Sequence, residues 1–408
     1  MAGCLSHIRV LDLSRVLAGP WAGQMLADFG ADVIKVEHPL HGDEVRKLGV
    51  PHRDAQGRDT AVNSAFLSAN RGKRSIGIDI SKPSGQALVK QLAGSCDVLI
   101  ENFKTGNLAR YGLDYAALRA INPRLVYCSI TGFGQSGPYG ELPGYDPVFQ
   151  AMSGLMSITG VPDGAPGAGP NLVGYSVSDI NAGCYATIAI LAALNHRDTV
   201  SGSGQHIDLA MLDAQLHAVS HIAMMHLSAG RMPVRAGAAS QSTCPWQAFD
   251  CADMALMLAV GNDQQFQRLC QALGLPELAD DARFTTNRQR MQHKDVLVPL
   301  LAERFKTRSA RDWMDAFAKV GVASGPINDF GQAFADPQVR HREVLRQMPH
   351  PQAGTVSFVA NPVRFSDTPV EYGRWPPLLG EHTEEILRAE LQVSDADIEA
   401  LRRDKVIA

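Results

Sequence analysis

Cysteine is sparse in this sequence and never grouped. Seven cysteines are scattered over 408 residues, at positions 4, 96, 128, 184, 244, 251 and 270. The count is odd and no Cys-x-x-Cys pair occurs, which argues against a disulfide framework and a zinc site and points to a reducing compartment. Histidines never take a His-Glu-x-x-His spacing, so a metalloprotease-like centre is not expected. No Gly-x-Gly-x-x-Gly follows the first strand-like segment, where the chain reads SRVLAGPWAG. A nicotinamide dinucleotide site therefore has no support. There is also no P-loop and no Gly-x-Ser-x-Gly elbow, which removes the main signals for nucleotide hydrolysis and serine hydrolysis. No run approaches the roughly 20 apolar residues of a membrane-spanning helix. The opening MAGCLSHIRV lacks the basic and apolar stretches of a secretory leader. A net charge of −4 gives no reason to expect nucleic acid or an anionic membrane as partner. The expected location is the cytoplasm.

What remains is the composition of an ordinary globular enzyme, with 45% hydrophobic and 20% charged residues. The length favours two domains. Short β-branched runs at 8–13, 32–37, 75–80, 98–102 and 125–130 alternate with helix-like segments at 21–29, 84–93 and 115–120. Such alternation predicts βαβ units and a parallel sheet, with ligands beyond the carboxyl ends of the strands. Long helices are expected at 179–196 and 208–229. After residue 230 the character changes to a polar, irregular passage, a strand near 254–260 and further helices, which suggests a smaller α/β domain. A final helix is expected at 395–403.

Asp179 stands just before a small-residue, apolar run, DINAGCYATIAILAAL. By position alone it reads as a helix cap, since Asp is favoured at helix starts.

Seven blocks, in one order, resemble the class III CoA-transferase family (CaiB/BaiF type), which also contains formyl-CoA transferases and α-methylacyl-CoA racemases. They are IRVLDLSRVLAGPWAGQMLADFGADVIKVEHP, NRGKRSIGIDI, DVLIENF, NPRLVYCSITGFGQSGPY, GSGQHIDLAMLDA, GVASGPIND and PPLLGEHTEEIL. The resemblance covers nearly the whole chain. It implies a large Rossmann-like, CoA-binding domain beginning with residues 1–229, a small α/β domain at 230–325, and a C-terminal segment, 326–408, returning to the large domain. It also implies an interlocked homodimer. Acyl-CoA and a small carboxylic acid are the implied substrates, with no tightly bound cofactor and no metal.

The resemblance places the family's nucleophilic Asp at Asp179. It places CoA contacts at Leu17, Ala18, His38, Ile78, Ser81, Asn102, Phe103, Arg110, Gly144 and Tyr145. His38 stands where the family usually has Arg. Lys73 and Arg74 are alternative phosphate ligands, or residues of a solvated turn. Racemases carry Gly-His-Asp where this chain has Gly144-Tyr145-Asp146; tyrosine, with a pKa near 10, is a poor proton shuttle. That departure favours CoA transfer over 2-methylacyl-CoA racemisation, and Asp146 reads as a residue that orders its loop. A non-catalytic CoA-binding protein is the remaining alternative. Leu48 stands where formyl-CoA:oxalate members have Trp, and 237–245 lacks their glycine run, which speaks against oxalate. Arg46, Arg71 and His41 are candidates to meet a second carboxylate on a dicarboxylic acid.

Overall fold

Runs of Val, Ile and Leu form six strands in the computed structural model, which describes residues 3–407. They are β1 (Arg9–Asp12), β2 (Asp32–Glu37), β3 (Lys73–Gly77), β4 (Val98–Glu101), β5 (Val126–Thr131) and β6 (His206–Ala210). Every neighbouring pair is parallel, in the spatial order β3-β2-β1-β4-β5-β6. This is the Rossmann order, and the chain reverses direction of travel between β1 and β4.

Alternate side chains divide the core into two layers, as the pleat requires. Leu11, Ile34, Ile76, Leu99 and Tyr127 face one way, against Leu88, Val89 and Leu92 of Pro83–Ser95 and against Ile386 and Ile398 near the C-terminus. Val10, Val33, Val98, Ile100 and Val126 face the other way. They meet α1 (Ala18–Asp28) and α2 (Val177–His196) through Ala22, Leu26, Ala182, Ala186 and Ile190.

α2, continued to Ser201, is by length and composition apolar enough to cross a membrane. This overturns the expectation that no such run exists. Its packing on the sheet and on α1 accounts for the apolar face.

The chain divides into two units. The large one comprises the residues up to Leu155, Val173–His221 and the chain from Gln338 onward; the small one comprises Met156–Leu172 and Ile222–Pro337. These bounds differ from 1–229, 230–325 and 326–408. Residues 156–172 join the small unit because Gly237 N–H donates to Gly160 O at 3.1 Å and Arg235 Nε to Val161 O at 3.1 Å. In the small unit Trp246–Asp250, Ala255–Ala259 and Ala323–Pro326 form an antiparallel sheet. The C-terminal segment docks on the β3 edge of the large sheet: His382 N–H donates to Ser75 O and Asp79 N–H to Val406 O, at 2.9 and 2.8 Å.

One helix is misread in the sequence. Residues 208–229 are not continuous: His206–Ala210 is strand β6, followed by helices Met211–Ala218 and Ser220–Ala229. Pairing with β5, from His206↔Tyr127 to Ala210↔Thr131, overrides the helical pattern.

Candidate active site

α2 approaches α1 closely because Gly183 has no side chain. A Cβ there would lie 2.8 Å from Ala18 O and 3.0 Å from the Trp21 ring. This brings the first turn of α2 against the start of α1, just beyond the end of β1.

Asp179 is the third residue of α2, one turn past the capping position, which Ser176 occupies. The capping role is therefore excluded for Asp179. The N-terminal amides are served from elsewhere: Asp146 Oδ1 accepts the Ser178 N–H at 2.7 Å. Asp146 Oδ2 accepts from Gln150 Nε2 at 2.7 Å, while Gln150 Oε1 accepts from Val173 N–H at 2.9 Å. Asp146, 8% exposed, orders its loop as expected.

The Ala18 backbone N–H lies near the Asp179 carboxylate and favours its charged form. Burial, and secondarily the charge of Asp146, push its pKa up to about 7, against the lowering effect of that N–H. A half-buried carboxylate in the first turn of a helix keeps lone pairs free for attack on an electrophile.

A cavity of about 220 Å³ opens at this carboxylate. Of the expected contacts it brings together Ala18, Asn102, Phe103, Gly144 and Tyr145 with Asp179. Tyr145 is 68% exposed. A neighbouring cavity of about 150 Å³ is lined by His38 and Ile78 and shares Arg15 and Phe103 with the first. His38 is exposed and stacks on His41, with ring centroids 4.7 Å apart. Leu17 is half-buried at the start of α1, where its carbonyl accepts the Trp21 N–H. Neither Leu17, Ser81 nor Arg110 lines these two cavities. Ser81 Oγ is turned to Asp79 Oδ1 at 2.6 Å, and the exposed Arg110 lies over the Tyr111 ring at 4.6 Å.

Four other cations proved to be internal. Lys73 is fully buried in β3, donating to Asp12 Oδ2, Asn70 Oδ1 and Pro20 O at 2.9, 2.9 and 2.8 Å. Arg74 pairs with Asp32, Glu385 and Glu390. Both phosphate-ligand and solvated-turn readings are thereby corrected. Arg46 grips Glu37 through two hydrogen bonds and stacks on Phe66; Arg71 grips Asp28 in the same way. Charges this deep are stable only when paired, so these side chains are committed to the fold.

The sequence reading missed Arg15 and the supports of its loop. Asn102 receives the Arg15 N–H at 2.8 Å and donates to Arg15 O at 2.6 Å. Asp43 accepts the Val16 N–H at 3.1 Å and is itself held by the buried Lys35 at 2.9 Å. Val16 has φ +68°, a left-handed conformation unusual for a β-branched residue. The loops of Arg15 and Asn102 follow β1 and β4, the two strands flanking the topological switch point, and that of Asp43 follows β2.

A Rossmann-order sheet with a carboxylate and a cavity at its switch point defines a ligand-processing α/β enzyme. Residues 5–383 match the family described as CoA-transferase family III. The succinate–glutarate CoA-transferase of Agrobacterium fabrum is 47% identical over 388 residues, 95% of this chain and 96% of that one. The succinyl-CoA:glutarate CoA-transferase of Homo sapiens is 41% identical over 394 residues, 97% of this chain and 87% of that one. A CaiB/BaiF family protein from Brucella suis, seen in a crystal structure, shares 43% identity with a TM-score of 0.83, covering 96% of this chain and 100% of that one. The chain belongs to CoA-transferase family III, and it is a CoA-transferase.

Proposed function

We propose that this enzyme moves CoA between an acyl-CoA and a free dicarboxylic acid, with Asp179 as the covalent nucleophile. Asp179 attacks the donor thioester carbonyl, giving an aspartyl–acyl anhydride and CoA thiolate. The thiolate attacks the aspartyl carbonyl of that anhydride, giving an aspartyl-CoA thioester and releasing the donor acid as its carboxylate. The acceptor carboxylate attacks the aspartyl-CoA thioester, forming a second anhydride and freeing the thiolate again. Thiolate attack on the acceptor's acyl carbon then gives the new acyl-CoA and returns Asp179 as a carboxylate. Each intermediate is activated, so no thioester energy is lost provided water is kept out.

The observation that carries this reading is the placement of Asp179: half-buried, in the first turn of α2, lining the switch-point cavity. The names of the relatives, which pair succinate with glutarate, support a dicarboxylate acceptor. Racemisation is disfavoured because the second acid/base would have to come from Tyr145, and Asp146 is committed to Ser178 and Gln150. Hydroxylamine added during turnover should trap Asp179 as a hydroxamate, read by peptide mass; modification elsewhere would sink the assignment. In D₂O a chiral 2-methylacyl-CoA should gain no deuterium at C2.

We further propose a homodimer. Tyr175, Ile188 and Leu216 are 58%, 61% and 45% exposed around α2 and the helix after β6, which supports burial against a second chain. Light scattering at micromolar concentration tests it; a monomeric mass would refute it.

A further inference from the structure

Arg15 lies in the cavity of Asp179. Four charged side chains line that cavity: Arg15, Glu44, Lys104 and Asp179. Arg15 Nε is buried and has no hydrogen-bond partner among the described residues. Its one ion pair among the described residues is loose, from Nη1 to Glu44 Oε1 at 3.4 Å, and the Glu44 side chain is 62% exposed. Such a surface pair is worth little and is readily exchanged for a better anion.

The guanidinium is nevertheless well placed. It lies over the Phe103 ring at 4.6 Å, a cation–π contact that favours this position. Its backbone is clamped on both sides by Asn102, and the next residue is held in its left-handed conformation by Asp43. A loop this over-determined keeps the cation in place before substrate arrives. Of the three residues first expected to meet a second carboxylate, Arg46 and Arg71 are consumed by Glu37 and Asp28, and His41 stacks on His38 outside the cavity of Asp179. A planar fork with an unfilled donor matches a carboxylate, which it can bind through two parallel hydrogen bonds.

We infer that Arg15 recognises the second, non-reacting carboxylate of the dicarboxylic acid while its first carboxylate meets the Asp179 centre. This rests on the proposed function of Asp179. Arg15 is then the residue that separates dicarboxylic from monocarboxylic acids. An alternative source of the same chemistry is a phosphate of CoA, and the test must distinguish the two.

Wild type, Arg15→Gln and Arg15→Lys are assayed with succinyl-CoA as donor and with glutarate or valerate, its five-carbon monocarboxylate counterpart, as acceptor. In a ping-pong exchange the acceptor's kcat/KM reports only the second half-reaction, so the donor's own carboxylate does not interfere. The glutarate-to-valerate ratio of kcat/KM should fall by about tenfold or more in Arg15→Gln, the range of one charge-assisted hydrogen bond. It should fall less in Arg15→Lys. An unchanged ratio overturns the inference. So does an equal loss of kcat/KM for succinyl-CoA and butyryl-CoA, which would assign Arg15 to CoA phosphate. Should Arg15→Gln fail to fold, phenylglyoxal labelling of the wild-type enzyme serves. Glutarate should protect the Arg15 peptide and valerate should not; equal protection, or none, refutes the inference. Asp179→Asn is run alongside. Persistent transfer in that variant would refute the nucleophile while leaving the Arg15 preference readable.

Discussion

The carboxylate of Asp146 accepts the backbone N–H of Ser178 at 2.7 Å, one residue before Asp179. One acid thus secures the helix end that carries the other, and its charge helps to hold the second above its ordinary pKa. Asp146→Asn separates these two effects. Asparagine keeps an oxygen for the Ser178 N–H but removes the negative charge, so the pKa of Asp179 should fall. The acid limb of the kcat/KM profile should move to lower pH, with a modest loss of melting temperature because the amide cannot accept from Gln150 as Oδ2 does. An acid limb that stays in place or moves upward contradicts this electrostatic coupling.

Asp179→Asn should abolish transfer and yet stabilise the fold at pH 8. Burial raises the folded carboxyl to about 7, above its ordinary value of 3.8. The folded state therefore binds the proton more tightly than the unfolded chain. Asp179 favours folding below about pH 4, and this contribution is lost as pH rises through about 7. A neutral amide escapes that loss. Melting temperatures of the variant should exceed wild type at pH 8 and converge with it near pH 4. A variant less stable than wild type at pH 8 would contradict the raised pKa.

How much of this was legible in the chain depends on how local the cause is. Strand β2 and the final helix Asp395–Arg403 lie where the patterns of apolar residues and caps put them. Strand β6 was hidden because its HIDLA is decided by pairing with β5, some 79 residues earlier at His206↔Tyr127. Asp179 was legible from its block, but its place inside the helix was not, because the capping role falls to Asp146, 32 residues away from Ser178. Lys73 and Arg74 look like free cations in NRGKRS; their partners Asp12 and Asp32 stand 61 and 42 residues back. Arg15 was invisible for the same reason, since the clamp on its backbone comes from Asn102, 87 residues on.

The correction at Lys73 has a measurable consequence. Lys73→Ala strips Asp12, 0% exposed, of its ion-pair partner at 2.9 Å and leaves only the Ser14 amide and hydroxyl and the charge of Lys35 to hold it. Loss of stability by about 3–5 kcal/mol is expected. Arg110→Ala, at an exposed position, should change stability by less than about 0.5 kcal/mol. Urea unfolding of both variants checks the pair. Near-equal small losses would return Lys73 to the solvated-turn reading.

Gly183→Ala tests the contact that brings the two helices together. The added methyl would meet Ala18 O at 2.8 Å and the Trp21 side chain at 3.0 and 3.1 Å, and the backbone oxygen cannot turn aside as a flexible side chain would. Relief requires α1 and α2 to separate by a few tenths of an ångström. Overpacking of this kind costs about 1–3 kcal/mol. The shift also draws the Ala18 N–H away from Asp179, and that amide is what lowers the carboxyl against its burial. Activity should therefore fall with a distinctive signature: the acid limb of kcat/KM moves to higher pH, opposite to Asp146→Asn. A variant that loses stability but keeps its acid limb would show that the helix contact serves packing alone, and that Asp179 takes its pKa from burial without help from the Ala18 amide.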